Sequence, residues 1–410
     1  MTREKKIEQY DVVIIGGGAA GLTAGIYCGR ARLKTLLIEK SLVGGLATYT
    51  NEIENYPGFP EGVGGTELMN LFHKQAKRFG VDFKLTDVKG VKLEGETKVV
   101  ETFRTDYHCK VVIVASGGKP RLTGAKGEEA FLYDKGISFC ATCDAAANTG
   151  KTVMVVGSGD AAIEEGIFLT KFAKKVIVSV MHDTGIMDCN EIAKNQALSN
   201  PKMEFIWNTM VEEFKGEERL RSVALRNVKT GEIIDVPVDS CFLFIGYLPN
   251  TEIFKGQLNM NRAGYLLVNE RMETNIPGVF AAGDVCDKFL KQVSTAVGDG
   301  AIAGYSAEKY IAESEIVEHQ ILCGGKPKVV YIWNAVQPES RELLPLFEQL
   351  EQEHGHRLDV VRVDVYKSQG IARRLEVEAA PCSVIVRDKT VERRIFGGDI
   401  TKEAILKALE

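Results

Sequence analysis

Residues 10–39 read YDVVIIGGGAAGLTAGIYCGRARLKTLLIE, and the order of residue types in this stretch decides the fold class. A short apolar run rich in β-branched residues, 10–15, enters Gly16-Gly17-Gly18-Ala19-Ala20-Gly21 and passes into a helix-like segment. A second apolar run, 35–38, then ends on Glu39. Strand, glycine turn, helix, strand and acid in that order make a dinucleotide-binding unit. Gly16 permits the tight turn, Gly18 lets the backbone approach a pyrophosphate, and Gly21 lets helix and strand pack closely. The helix start turns unpaired N–H groups and a positive dipole end toward the phosphates. Glu39 stands where an acid accepts hydrogen bonds from a ribose. The glycines alone occur in many α/β turns; the flanking strands and the acid make the pattern specific.

The pattern recurs. Residues 151–156 (KTVMVV) run into Gly157-Ser158-Gly159-Asp160-Ala161-Ala162, followed by a helical IEEGIFLTKF and a second strand at 175–180. Gly157, Gly159 and Ala162 are the candidate contacts for a second nucleotide. Two such units in one chain point to a flavin and a nicotinamide nucleotide that exchange a hydride. The alternative is a second unit that keeps the shape and binds nothing. Further short strands end in glycine: 110–115 before Ser116-Gly117-Gly118, 241–245 before Gly246, and 279–282 before Gly283-Asp284. Asp284, after a strand and before a helix, could accept from a flavin's ribityl chain; an ordinary helix cap is the bland reading.

From residue 315 to 327 the chain turns polar and then Gly/Pro-containing, which marks a linker. Residues 328–410 read as a separate small domain with the order βαβαββα and a proline, Pro381, opening the third strand. The fold class is therefore α/β, with two Rossmann-like domains and a C-terminal domain of its own.

The 410 residues suffice for two or three domains with large cores. With 45% hydrophobic and 26% charged residues the chain is neither disordered nor fibrous. A formal net charge of −5 argues against nucleic acid or an anionic membrane as the main partner. No apolar run approaches the ~18–20 residues that span a bilayer. The charged start, MTREKKIEQYD, shows no signal peptide, so the expected compartment is the cytoplasm. The 9 cysteines are scattered apart from one close pair, which is no secreted disulfide framework.

That pair, Cys140-Ala141-Thr142-Cys143-Asp144, carries the chemistry. Two thiols separated by two residues close a disulfide with little chain distortion, and their proximity lowers the pKa of one. Half of a zinc site is the competing reading, but zinc needs three or four ligands and no second CxxC or CxxH exists in the sequence. Asp144 is the candidate general acid/base for the outgoing thiolate; a helix cap is its bland alternative. Cys382, after Pro381, is open to a reactive role, but a buried small residue is the better reading. His108 and His182 are isolated and support no metal or base role.

GGGAAGLTAGIYCGRA from Gly16, Gly44-Gly45, NEIENYPGF at 51–59, CATCD at 140–144, GSGDAAIEEG from Gly157 and IPGVFAAGDV at 276–285 occur in that order. Together they closely resemble the low-molecular-weight thioredoxin reductases, over residues 8–314. The resemblance implies an FAD domain built from residues 1–118 and 252–314. A pyridine-nucleotide domain, 119–251, is inserted between those segments and carries the cysteines. It implies FAD contacts at Gly16, Gly18, Ala19, Ala20, Gly21, Glu39, Lys40, Gly45, Leu46, Asn55, Ala115 and Gly117. Further contacts are implied at Gly283, Asp284, Lys291, Gln292 and Val293. It casts Cys143 as the thiol facing the flavin and Cys140 as the one attacking the substrate disulfide. It also implies a thioredoxin-like protein as substrate, a homodimer, and a large rotation of one domain against the other.

The departures from the family pattern matter. NADPH-using members carry an HRRxxxR-like cluster after the second strand of the inserted domain; here that stretch is Ser179-Val180-Met181-His182-Asp183-Thr184-Gly185-Ile186, without an arginine. Each lost charge-assisted contact to a phosphate costs about 1.5–3 kcal/mol, so NADPH is disfavoured. NADH and a reduced ferredoxin-like protein are the candidate donors. A Gln common after the paired glycines is Leu46, and the aromatic pair after the disulfide is replaced by Ala145-Ala146-Ala147. Residues 328–410 resemble thioredoxin, but Trp333-Asn334-Ala335-Val336-Gln337 stands where that family has WCGPC. Docking, dimer contact or regulation is the expected use. The resulting expectation is a flavin-dependent protein-disulfide reductase. The competing one is a non-catalytic redox sensor that recruits a client through its C-terminal domain.

Overall fold

The computed structural model describes residues 5–49 and 53–410. Asn51 and Glu52 of the 51–59 motif lie outside the described residues. The chain forms one compact unit through Tyr305 and a second from Ser306 to Glu410.

The first unit contains two parallel sheets. In one, β1 (Lys6–Ile15) lies between β2 (Thr35–Glu39) and β3 (Thr105–Val114), parallel to both. Asp82–Leu85 extends the β2 edge in parallel, and Lys98–Thr102 and Val88–Lys92 continue antiparallel beyond β3. Val279–Ala281 also pairs in parallel with β3, although it lies far along the chain. The sheet thus takes strands from both sides of the 119–251 segment. Val12, Val13, Ile14, Val111, Val112 and Ile113 are fully buried, as strands covered on both faces require.

The second sheet orders Met203–Trp207, β5 (Lys175–Val180), β4 (Thr152–Val156), Ser240–Leu243 and Ile137–Ser138, all parallel. Its two faces bury separate apolar clusters, one around Val153, Val155 and Val178 and the other around Met154, Ile177 and Cys241. A three-stranded antiparallel sheet, Thr209–Gly216, Leu220–Asn227 and Ile233–Pro237, contributes to the second cluster. The chain passes between the two parallel sheets twice, and the two passages pair with each other. Gly118–Pro120 is antiparallel to Tyr247–Pro249, with Leu248 opposite Lys119. Asn250 Nδ2 donates to Ser116 O at 2.9 Å and Ser116 Oγ donates to Asn250 O at 2.8 Å, locking the same crossing.

Each parallel sheet opens into a helix through its glycine turn: α1 (Ala19–Arg30) after β1 and α2 (Asp160–Leu169) after β4. At Gly16 φ is +110°, and an added Cβ would stand 2.2 Å from the Ala115 carbonyl oxygen. At Gly21 a Cβ would stand 1.9 Å from Gly16 O, so only glycine lets α1 approach β1 this closely. The second turn is looser, and Ala162 occupies the place of Gly21.

In the second unit, Asp359–Asp364, Lys328–Trp333, Cys382–Arg387 and Thr390–Phe396 form a four-stranded sheet in that spatial order. The first pair is parallel and the others antiparallel. The Ala380–Pro381 bond is cis. The linker expected from residue 315 begins later in the structure. The helix Val293–Ile316 continues through residues 317–321, and Val317 and Ile321 are buried with Val330, Val363 and Val384. Val317 and Ile321 sit four apart on one helical face, so apolar burial outweighs the polar composition around them.

Candidate active site

A cavity of about 670 Å³ lies at the ends of the first sheet's central strands. The first glycine turn forms one wall, with Gly16, Gly18, Ala19 and Ala20 on the cavity. Gly21 stays behind the turn, where its role is packing. At Gly18 an added Cβ would meet nothing closer than Gly44 O at 4.0 Å, so the backbone there is open to a ligand. Glu39 lies at the end of β2. Its Oε2 accepts from Gly17 N at 2.8 Å and its Oε1 from Ser41 N at 2.9 Å. Lys40, Gly45 and the exposed Leu46 continue this wall, and Ala115 and Gly117 close it from the end of β3.

The opposite wall comes from Gly283, Asp284, Lys291, Gln292 and Val293. Gly283 has φ +81°, and its N–H donates to Asp299 Oδ2 at 3.0 Å. Lys288 Nζ donates to the same oxygen at 2.5 Å. Among the described residues Asp284 Oδ1 is buried without a hydrogen-bond partner, and burial pushes its carboxyl above the usual range. A buried acceptor with nothing to accept is costly. Here it faces the same cavity as the glycine turn, where a polyhydroxyl chain would satisfy it. Asn55 is not on the wall itself; its Nδ2 donates to Gln292 Oε1 at 3.2 Å.

The third wall belongs to the second sheet's domain. Cys140 and Cys143 are joined in a disulfide with their Cα atoms 5.3 Å apart, and both line the cavity with Asp144. Ala141–Asp144 is a single helical turn whose Ala141 is fully buried against the core of the second sheet. Ser138 Oγ donates to Asp144 Oδ2, and Cys140 N donates to Ser138 Oγ at 3.2 Å. Asn148 Nδ2 donates to the Asp144 carbonyl at 2.8 Å while Asn148 Oδ1 accepts from Ser240 Oγ. Burial raises the Asp144 carboxyl above the usual range, the Ser138 hydrogen bond pulls it partly back, and Asp134 adds to the rise. Such a carboxyl holds a proton to higher pH than a free aspartate, which suits a group that returns protons to thiolates.

Sequence reasoning missed Ser138, Asn148 and Glu165. Glu165, on α2, reaches the cavity beside the disulfide. Its backbone partner is Thr142, its Oε2 is buried without a partner among the described residues, and burial raises its carboxyl. Only Ser138, two residues before Cys140, could have been suspected from spacing. Gly157, Gly159 and Ala162 do not line the cavity, although Ala161 beside them does. Burial raises the Cys109, Cys241, Cys286 and Cys382 thiols.

Among the described residues no helix is long and apolar enough to cross a membrane. Residues 10–300 match the family described as "Pyridine nucleotide-disulphide oxidoreductase". The thioredoxin reductase of Peptoclostridium acidaminophilum is 42% identical over 308 residues, covering 74% of this chain and 97% of that protein. The thioredoxin reductase of Bacillus subtilis (strain 168) is also 42% identical, over 76% of this chain and 96% of its own length. The crystal structure of thioredoxin reductase from Streptococcus pyogenes MGAS5005 superposes with a TM-score of 0.68 at 39% identity, over 74% of this chain and 98% of that one.

The cofactor this family implies is FAD, and the cavity fits it: an open glycine turn at a helix start, an acid at the strand end, and the unpartnered Asp284 Oδ1. With the family match spanning most of the first unit and identity above 40% over nearly the full length of two thioredoxin reductases, the chain belongs to the pyridine nucleotide-disulphide oxidoreductases, among the thioredoxin reductases, and is a flavoprotein disulfide oxidoreductase.

Proposed function

We propose that this protein reduces the disulfide of a thioredoxin-like protein through Cys140 and Cys143, with electrons drawn from a nicotinamide nucleotide that lacks a 2′-phosphate. One observation carries the reading: the Cys140–Cys143 disulfide and Asp144 open onto the same cavity as the glycine turn and Asp284. FAD, when bound by Gly16, Gly18, Glu39 and Asp284, supplies the electron pair that cleaves the disulfide. The chain's own residues do the rest. Cleavage leaves two sulfur anions, both nucleophilic, and Asp144 holds its proton for the thiolate that leaves the partner while Ser138 stabilises the carboxylate that remains. Cys140 attacks the partner's disulfide, forming a mixed disulfide and releasing one partner thiolate. Cys143 then attacks Cys140, restoring the internal disulfide and releasing the second.

The inserted domain, residues 119–251, turns relative to the FAD domain, residues 1–118 and 252–314, so that disulfide and nicotinamide use the flavin in turn. Residues 328–410 form a thioredoxin-like domain. Without cysteines at residues 333–337 it cycles no dithiol and serves docking or assembly. The working form is a cytoplasmic homodimer. The absence of any arginine at residues 180–186 supports a donor of the NADH class. The test is anaerobic mixing of the oxidised holoenzyme with NADH, NADPH and reduced ferredoxin in turn. NADH should bleach the flavin and support turnover of a thioredoxin disulfide; bleaching by ferredoxin alone, or a strong NADPH preference, would replace the donor.

A further inference from the structure

The two glycine units of this chain can be compared residue for residue through their strand registers. Ile15 pairs with Ile38 across β1 and β2, and Val156 pairs with Ser179 across β4 and β5. By that register Gly17 corresponds to Ser158, and Glu39 corresponds to Val180. In the first unit the strand-end acid meets the loop directly, Glu39 Oε2 accepting from Gly17 N at 2.8 Å. In the second unit the strand ends in the buried Val180, which has nothing to offer a ribose.

An acid reaches the same loop residue by another route. Ser158 Oγ donates to Asp188 Oδ2 at 2.9 Å, and Asp188 N donates to Ser158 O at 3.0 Å. His182 Nε2 lies 2.8 Å from the same carboxylate oxygen. These two hydrogen bonds hold the Asp188 carboxyl below the usual range, so it is ionised at neutral pH, and its side chain is 62% exposed. The segment that carries it is anchored. Asn190 N and Nδ2 both donate to Asp160 Oδ1, at 2.7 and 2.9 Å, and Asn190 Oδ1 caps the helix Glu191–Ser199 by accepting from Ala193 N. The neighbouring cation, Lys229, is ion-paired with Asp183.

We propose that Asp188 replaces the missing strand-end acid and makes the second dinucleotide site selective for an adenosine ribose with a free 2′-hydroxyl. This rests on the reading that the donor is a nicotinamide nucleotide. A ribose hydroxyl can donate to the exposed carboxylate, as it does to strand-end acids in dinucleotide folds generally. A 2′-phosphate offers acceptors where the hydroxyl donates and meets the charge of the exposed Asp188 carboxylate instead. The His182 ring and the Lys229 ammonium close by are already engaged by Asp188 and Asp183. Asp188 is thus a specificity-determining residue, and the acid that excludes NADPH comes from a loop beyond the strand rather than from the strand end.

Calorimetric titration of the oxidised holoenzyme with ADP-ribose and with 2′-phospho-ADP-ribose tests this without turnover, since neither compound reduces the flavin. ADP-ribose should bind at least about tenfold more tightly at fixed ionic strength. Asp188→Asn and Asp188→Ala should each shrink that ratio by about tenfold, with flavin spectrum and melting temperature unchanged. Equal affinities in the unmodified protein, a ratio that survives both substitutions, or no binding of either compound would overturn the inference. Anaerobic bleaching by NADH separates the two readings. Bleaching combined with an Asp188-independent ratio removes the role of Asp188 and keeps the donor; failure of NADH to bleach removes the donor.

Discussion

Ser138 Oγ donates a hydrogen bond of 2.5 Å to Asp144 Oδ2, tying the residue before the disulfide turn to the acid that ends it. A hydroxyl that donates to a carboxylate favours the anion, so this bond opposes the burial that raises the Asp144 carboxyl.

Removing that bond should let Asp144 hold its proton to still higher pH. In Ser138→Ala the alkaline limb of the pH profile for disulfide reduction should move upward by about one to two units. Asp144→Asn, which cannot donate an acidic proton, should lower kcat by about 10²–10⁴-fold and flatten that limb. A profile in Ser138→Ala that overlies the original would separate Asp144 from the proton transfer.

Cys143→Ser should abolish thioredoxin reduction while leaving the flavin bound, because the glycine turn, Glu39 and Asp284 hold the cofactor without it. Flavin absorbance after gel filtration and an insulin-coupled reduction assay read the two effects separately. Residual thioredoxin turnover in this variant would contradict the assigned roles of the two sulfurs.

The two glycines of the first turn should fail differently. Gly21→Ala drives a Cβ to 1.9 Å from Gly16 O and should cost about 3 kcal/mol or more, lowering the melting temperature and the yield of folded protein. Gly18→Ala meets open space and should fold normally, with its deficit confined to FAD retention. Asp284→Ala should weaken FAD by about 10–100-fold through one lost hydrogen bond to a charged group. Equal thermal stability of the two glycine variants would disprove the packing account of Gly21.

Deleting residues 328–410 should preserve flavin content and reduction of Cys140–Cys143, because the cavity-lining residues end at Ala296. It should also leave Val317 and Ile321 stripped of Val330, Val363 and Val384, so the truncated protein should aggregate more readily than one cut ahead of Val317. Flavin-to-protein ratio and light scattering measure both outcomes; a colourless truncation would join the two units in cofactor binding.

Much of this was legible in the sequence because backbone-driven features leave local signatures. The turn at Gly16–Gly21 needs glycine for steric reasons, and buried parallel strands need uninterrupted runs such as residues 10–15. The placement of Glu165 and Asp188 left no such signature. Glu165 reaches the disulfide because α2 passes beneath Ala141, and Asp188 reaches Ser158 because a loop folds back across the turn. Both relations exist only once the second sheet has formed. The extended helix through Ile321 was hidden for a different reason: two apolar residues four apart were outvoted by polar neighbours that point elsewhere.

The paired passages Gly118–Pro120 and Tyr247–Pro249 constrain any motion of the inserted domain. Both covalent links run through one narrow ribbon, and a two-stranded ribbon yields to torsion far more readily than to stretch or shear. The rotation proposed above for this domain would therefore be a swivel about the ribbon's long axis. Such a swivel would return each face to the same spot, and the disulfide would regain its alignment with the cavity by mechanical registration rather than by a fresh search.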